Sequence, residues 1–512
     1  MKILSVLFAL FGAFVAISQD MPVMDYTLDV TQNTDTFYVE LQIPEKLDKD
    51  ANIYQFAATA PGTYQTMNIG RFVSDFKAFD KKGRLLDVTR KSVNQFEISK
   101  PKKVRKITYS VAETFDTRVA EFPVYLMCGS SIEEDHTLIN AHTVIGYFEG
   151  YQKSPLQIKV VGADGWTTGT ALKAQDGGYY AENFDKAVDS PILSGKLTYA
   201  DTMIADTKVE IFTYSEHGKI SSEGLLKGMS DMLDATNKFL VKLPVDRYTF
   251  LYFFEAKPTG VTGAWEHSYS SEYVINESDP TPEYMEKVTD IASHEFFHVV
   301  TPLNIHSEIV EYFNFVTPTP SVHLWMYEGV TEWASNILLF RGGVVDEESF
   351  FKNSIAQKIL VNEHYFDSSW SLKKLSDESF KGGEGARQYG NIYYKGALTA
   401  LLLDIRLLEL SDGKYGLREL VLDLVDKYGK GNPVSEETFF DDLAEMTYPE
   451  IHMFFDDYIL DAKPLPFEEY FAKIGLEMKR DEKGGVTITK KEDMTAQQSK
   501  LYEAWSKNMP RI

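Results

Sequence analysis

The segment His294-Glu295-Phe296-Phe297-His298 constrains the chain most, because on a helix residues four apart lie one turn above the other on one face, so both imidazoles can reach one ion. The flanking residues read the same way. Thr281-Pro282-Glu283 is a helix start, with Thr as N-cap, Pro at the first helical position and an acid in the first turn. Met285, Val288, Ile291 and Ala292 form an apolar stripe, and Thr301-Pro302 ends the pattern. The chain must therefore bury this helix with both imidazoles aimed at one point. One zinc ion suits such a site, since imidazole is a good ligand and an incomplete protein shell leaves room for water. Glu295, next to the first ligand, is placed to activate that water.

A third ligand has to come from elsewhere. A continuation with Gly at 301 and His at 304 would mark the metzincins, but Thr301 and Asn304 stand there. His306 and Glu308 follow the Pro302 break directly and would need a sharp return. Glu328 and Glu332 are four residues apart at the opening of an apolar helix, in Leu324-Trp325-Met326-Tyr327-Glu328-Gly329-Val330-Thr331-Glu332-Trp333. Either carboxylate could face the histidines.

The rest of the chain frames this helix. Residues 1–18 have the pattern of a secretory signal, with Lys2, a short apolar run and Ala16-Ile17-Ser18. No Cys follows it, so a lipoprotein anchor is not expected. Cys128, the one cysteine, excludes an intramolecular disulfide and is more typical of a bacterial than an animal exported protein. The location expected is periplasmic or extracellular, with no integral membrane segment once the signal is removed. A formal net charge of −24 disfavours a nucleic-acid partner.

From about residue 25 to 200 the pattern is strand-like, with Phe37, Val39, Leu41 and Ile43 alternating with polar residues and turns at Pro61-Gly62, Lys82-Gly83 and Asp176-Gly177-Gly178. Nothing in this half has the spacing of a catalytic site. Helices dominate after Pro280, and Pro464-Leu465-Pro466 punctuates their end. The fold class expected is multidomain α+β: signal 1–18, a β-sandwich-like domain 19–215, a mainly helical domain 216–465, and an extension 466–512.

Several segments together resemble the glycyl aminopeptidase family of gluzincin zinc metallopeptidases. They are Ala60-Pro61-Gly62-Thr63-Tyr64, Gly70-Arg71, Asp189-Ser190-Pro191-Ile192, Gly263-Ala264-Trp265-Glu266-His267, the HExxH helix, Glu328-Gly329-Val330-Thr331, Tyr393-Tyr394-Lys395-Gly396, and Ile474-Gly475-Leu476. The resemblance implies a thermolysin-like (gluzincin) zinc peptidase domain over 216–465 behind the N-terminal β domain, with His294, His298 and Glu328 as zinc ligands and Glu332 outside the ligand set. It implies that Glu266 binds the free amine of a peptide substrate, with Gly263 and His267 beside it in the substrate-binding segment. Tyr393 fits the family's Tyr-x-Lys-Gly spacing better than Tyr394 and is the expected oxyanion donor beside Glu295.

Three features depart from the family pattern. Ala264-Trp265 replaces a smaller pair, residues 299–303 differ from the usual stretch, and residues 477–512 are too few for the PDZ domain that members often carry. Two other functions fit the same residues: a zinc endopeptidase with no need of a free N-terminus, if Glu266 faces away from the cleft, and a non-catalytic binding protein on a peptidase fold.

Overall fold

The computed structural model describes residues 21–510 apart from 33, 120, 122 and 430, so the expected leader over 1–18 lies outside the described residues. A β-rich N-terminal part is followed by a mainly helical one, as the patterning implies. The N-terminal part holds an eight-stranded sheet and two four-stranded sheets. Thr36–Gln42 shows why these residues form strands: Phe37, Val39 and Leu41 are buried, while the residues between them reach solvent. Tyr54, Phe56, Phe76, Phe96 and Tyr109 fill the space beside the sheet, packed edge to face or stacked.

A further five-stranded sheet runs in the order Thr198–Ile204, Thr207–Ser215, Arg247–Glu255, Ser270–Asn276, Gly263–His267. Its central pairs are parallel and both edge strands are antiparallel. Because Thr207–Ser215 pairs along its length with Arg247–Glu255, this sheet runs straight across residue 215. The sheet's first strand starts at Thr198, ahead of the divide expected at residue 215. The helix Ser222–Leu240, capped by Ser221, and the helix Pro282–Phe297, capped by Thr281, pack together beside the sheet.

The hairpin formed by Gly263–His267 and Ser270–Asn276 ties the two parts together. Residues 263–267, the expected substrate-binding segment, are themselves the edge strand of the sheet. Alternation then sends Ala264 and Glu266 to one face and Trp265 and His267 to the other. The second face is held by the β domain. The Trp265 indole donates to the Pro61 carbonyl at 3.2 Å, the Ser268 amide donates to Asp189 at 2.9 Å, and Asn140 donates to both oxygens of Glu272.

The C-terminal segment belongs to the core of the helical part. Its helix Ala496–Ser506 buries Trp505 completely, and Arg341 donates to the Trp505 carbonyl at 2.8 Å while pairing with buried Asp404 at 2.7 Å. The strands Leu476–Arg480 and Val486–Lys490 make a two-stranded sheet beside it. No helix among the described residues is long and apolar enough to cross a membrane.

Candidate active site

Burial of Val288, Ala292 and Phe296 fixes the rotation of the helix Pro282–Phe297, which leaves His294, Glu295 and His298 on the cleft side of its last turn. Each imidazole is held from behind. His294 donates from Nδ1 to Glu332 at 2.8 Å, and Glu332 pairs with Lys358 at 2.6 Å. His298 donates from Nδ1 to the Thr301 carbonyl at 2.9 Å, so the break at Thr301-Pro302 that ends the helix also orients its last histidine. With Nδ1 used in this way, both Nε2 atoms are left facing the cleft.

Glu328 meets them there. It sits in a wide π-type turn, Trp325–Val330, which continues as the α-helix Thr331–Arg341. One of its oxygens lies 3.5 Å from Nε2 of His294 and 3.6 Å from Nε2 of His298. These separations are long for hydrogen bonds but suit donors around a common ion, since bonds of about 2.0–2.1 Å at tetrahedral angles put neighbouring donors roughly 3.3–3.4 Å apart. The other Glu328 oxygen accepts from the Tyr64 hydroxyl at 3.2 Å. Donor atoms of Glu266, His298 and Glu328 lie within 4.8 Å of one another, as do those of His294, Glu295 and His298.

The position of Glu328 rests on two glycines. A Cβ on Gly329 would stand 2.6 Å from the Cα of Gly396, and one on Gly396 would stand 2.7 Å from the Cα of Gly329. The Glu328 turn and the helix Asn391–Leu410 thus touch backbone to backbone, which no other residue type permits without displacement. Tyr393, three residues before Gly396 on the same helix face, is brought within 5.5 Å of the His294 ring, and its hydroxyl is 3.4 Å from that of Tyr389. Tyr394 points elsewhere, packing on Phe366 and Lys358.

A model of the M61 peptidase N-terminal domain matches residues 25–196, and a model of M61 glycyl aminopeptidase matches residues 287–399. The chain belongs to the M61 glycyl aminopeptidase family. It is accordingly a peptidase. A solved structure of an aminopeptidase N family protein from Idiomarina loihiensis has the same fold, with a TM-score of 0.77 at 19% identity, over 90% of this chain and 79% of that one. None of the curated proteins matches the chain. The M61 matches include His294, Glu295, His298, Glu328 and Tyr393 on one side and Tyr64 on the other, while Glu266 lies between them.

Electrostatically the M61 site is short of positive charge. Glu266, Glu295, Glu328 and Glu332 converge on it, and Lys358 neutralises Glu332. Burial raises Glu295 to about 8, with the charge of Glu328 adding to the effect and His294 opposing it. Burial also pushes Glu266 well above the ordinary range, reinforced by Glu328 and Glu295. Burial works to raise Glu332 as well, but Lys358 and His294 hold it far below. Burial lowers His298 to about 4, against the pull of Glu328, so that its neutral form is the one present. His294 goes the other way: burial would lower it, but its bonds to Glu328 and Glu332 push it well above the ordinary range, so a divalent ion bound there displaces a proton. The residues fit a metal.

Other expectations fare differently. Glu332, the competitor for third ligand, instead accepts from the back of His294. His306 pairs with Glu311 and Glu308 accepts from the Glu436 amide, both away from the centre. Gly263 opens the edge strand against Met127. His267 needs correcting: it is 1% exposed, with its ring 4.5 Å from that of Trp265 and Asp189 3.8 Å away, so strand alternation turns it into the β domain and away from substrate. Although nothing in the β half has the spacing of a catalytic site, it brings Tyr64 to Glu328. Neither Tyr64 nor Tyr389 has a spacing signal that would mark it.

Proposed function

We propose that the chain is an exported zinc aminopeptidase that removes single residues from the free N-termini of peptides. The observation that carries this reading is the shared space of Glu266 with His298 and Glu328. A carboxylate that near the ligands can hold an ammonium group while the first peptide carbonyl lies at the ion. Burial and neighbouring acids favour a bound cation at Glu266, since a positive charge is what lets this group ionise.

His294, His298 and Glu328 would hold the zinc. When bound, zinc supplies a Lewis-acid charge at the scissile carbonyl and brings the pKa of bound water to about 7. Glu295 takes a proton from the attacking water and returns it to the leaving amine, a task that suits a carboxylate whose pKa is raised towards neutrality. Tyr393 donates its hydroxyl to the developing oxyanion. Glu266 fixes which peptide bond is presented. Export is the reading of residues 1–18, and the N-terminal pattern there is its support.

The test is mass spectrometry of a peptide pool supplied with free and with acetylated N-termini. Loss of single residues from the free set alone is expected. Internal cuts in both sets would replace this reading with an endopeptidase, and no cleavage by zinc-loaded protein would leave a binding role.

A further inference from the structure

Residues 61–64 of the β domain reach the side chains of the site. Gly62, at φ +74°, sits so close to the amine-binding candidate that a Cβ there would lie 2.7 Å from Oε1 of Glu266 and 2.7 Å from the Trp265 indole nitrogen. The indole is in turn tied to the carbonyl of Pro61. Two residues on, Tyr64 donates to the oxygen of Glu328 that faces away from the histidines. Its ring is set against Phe380 at 5.6 Å and Tyr389 at 5.0 Å, which holds the hydroxyl in place.

We propose that this turn is the end wall of the cleft and the outer brace of the third ligand. Gly62 leaves room for the Glu266 carboxylate and none for a chain continuing past it, so the β domain limits cleavage to the first residue. Tyr64 is a positioning residue that acts through Glu328: its hydrogen bond occupies one carboxylate oxygen and presents the other to the ion. The wall rests on the aminopeptidase reading; the brace needs only that Glu328 binds metal.

Two variants separate these roles. Gly62→Ala drives a methyl group into the Glu266 carboxylate, and KM for peptides with a free amine is expected to rise roughly tenfold or more, the effect of disturbing a contact to a charged group. The turnover number should fall less, and zinc content should not change. Backbone strain is controlled by Gly83→Ala, because Gly83 has φ +73° in the same β domain with nothing within 4 Å of its added Cβ. That control should leave KM at the wild-type value. If wild-type protein discriminates against acetylated peptides yet Gly62→Ala shifts KM no more than Gly83→Ala, the wall is wrong. If wild-type protein cleaves both sets alike, the aminopeptidase reading fails first, and the wall with it.

Tyr64→Phe keeps the ring contacts and removes the hydroxyl. Zinc affinity, read by competition with a chromogenic chelator, is expected to drop about 10–100-fold with an unchanged circular dichroism spectrum. Unchanged affinity in the folded variant would overturn the brace.

Discussion

The helical and the β sides of the cleft reach the same carboxylate by different routes. On the helical side, His294, Glu295 and His298 share the end of one helix, and Glu328 arrives on the next long helix through a contact between two glycines. On the β side, Tyr64 meets Glu328 across 264 residues of sequence, and its place depends on how the 263–276 hairpin is gripped by Pro61, Asn140 and Asp189. One side is set by helical period and close packing, the other by docking. Changes on the helical side should therefore abolish chemistry, and changes on the β side should tune binding and ligand orientation.

The largest effect expected is on the helical side. Glu295→Gln should lose about 10²- to 10⁴-fold in kcat while keeping its zinc, the range for a missing general base; single-turnover kinetics with metal analysis checks it. Tyr393→Phe comes next, with about 10²- to 10³-fold lost from kcat and little change in KM if its hydroxyl serves the oxyanion. Glu332→Gln frees the back of His294 and should weaken zinc binding by about 10–100-fold, measured by chelator competition. Gly396→Ala forces apart the backbones that position Glu328. We expect a loss of about 1–3 kcal/mol in urea unfolding, together with reduced zinc content. The smallest effect belongs to Tyr394→Phe, which should stay within about 0.5 kcal/mol of wild type with full activity. An inactive Tyr394→Phe beside an active Tyr393→Phe would exchange their roles.

The helical side was legible in the sequence because its information is local. A spacing of four, a capped start and a Pro stop define the HExxH helix, and Glu328-Gly329 carries both the ligand and the glycine that lets it approach. The β side was not, because a tyrosine that acts through a tertiary contact has no period to betray it. His267 shows an error of another kind. Once residues 263–267 form a strand, the neighbours of Glu266 must face away from it, a constraint that short polar and aromatic residues do not reveal by themselves. The expected divide at residue 215 falls just before the first long helix, Ser222–Leu240, but the sheet beneath that helix begins at Thr198, because local pattern does not show which strands pair.

The most direct test of the centre is anomalous diffraction from crystals of the zinc-loaded protein, recorded above and below the zinc edge. The account predicts one strong peak per chain about 2.0–2.2 Å from Nε2 of His294, Nε2 of His298 and a carboxylate oxygen of Glu328, with Glu295 and Glu332 outside bonding distance. A peak bound by Glu332 in place of Glu328, or no peak among these residues, would contradict it.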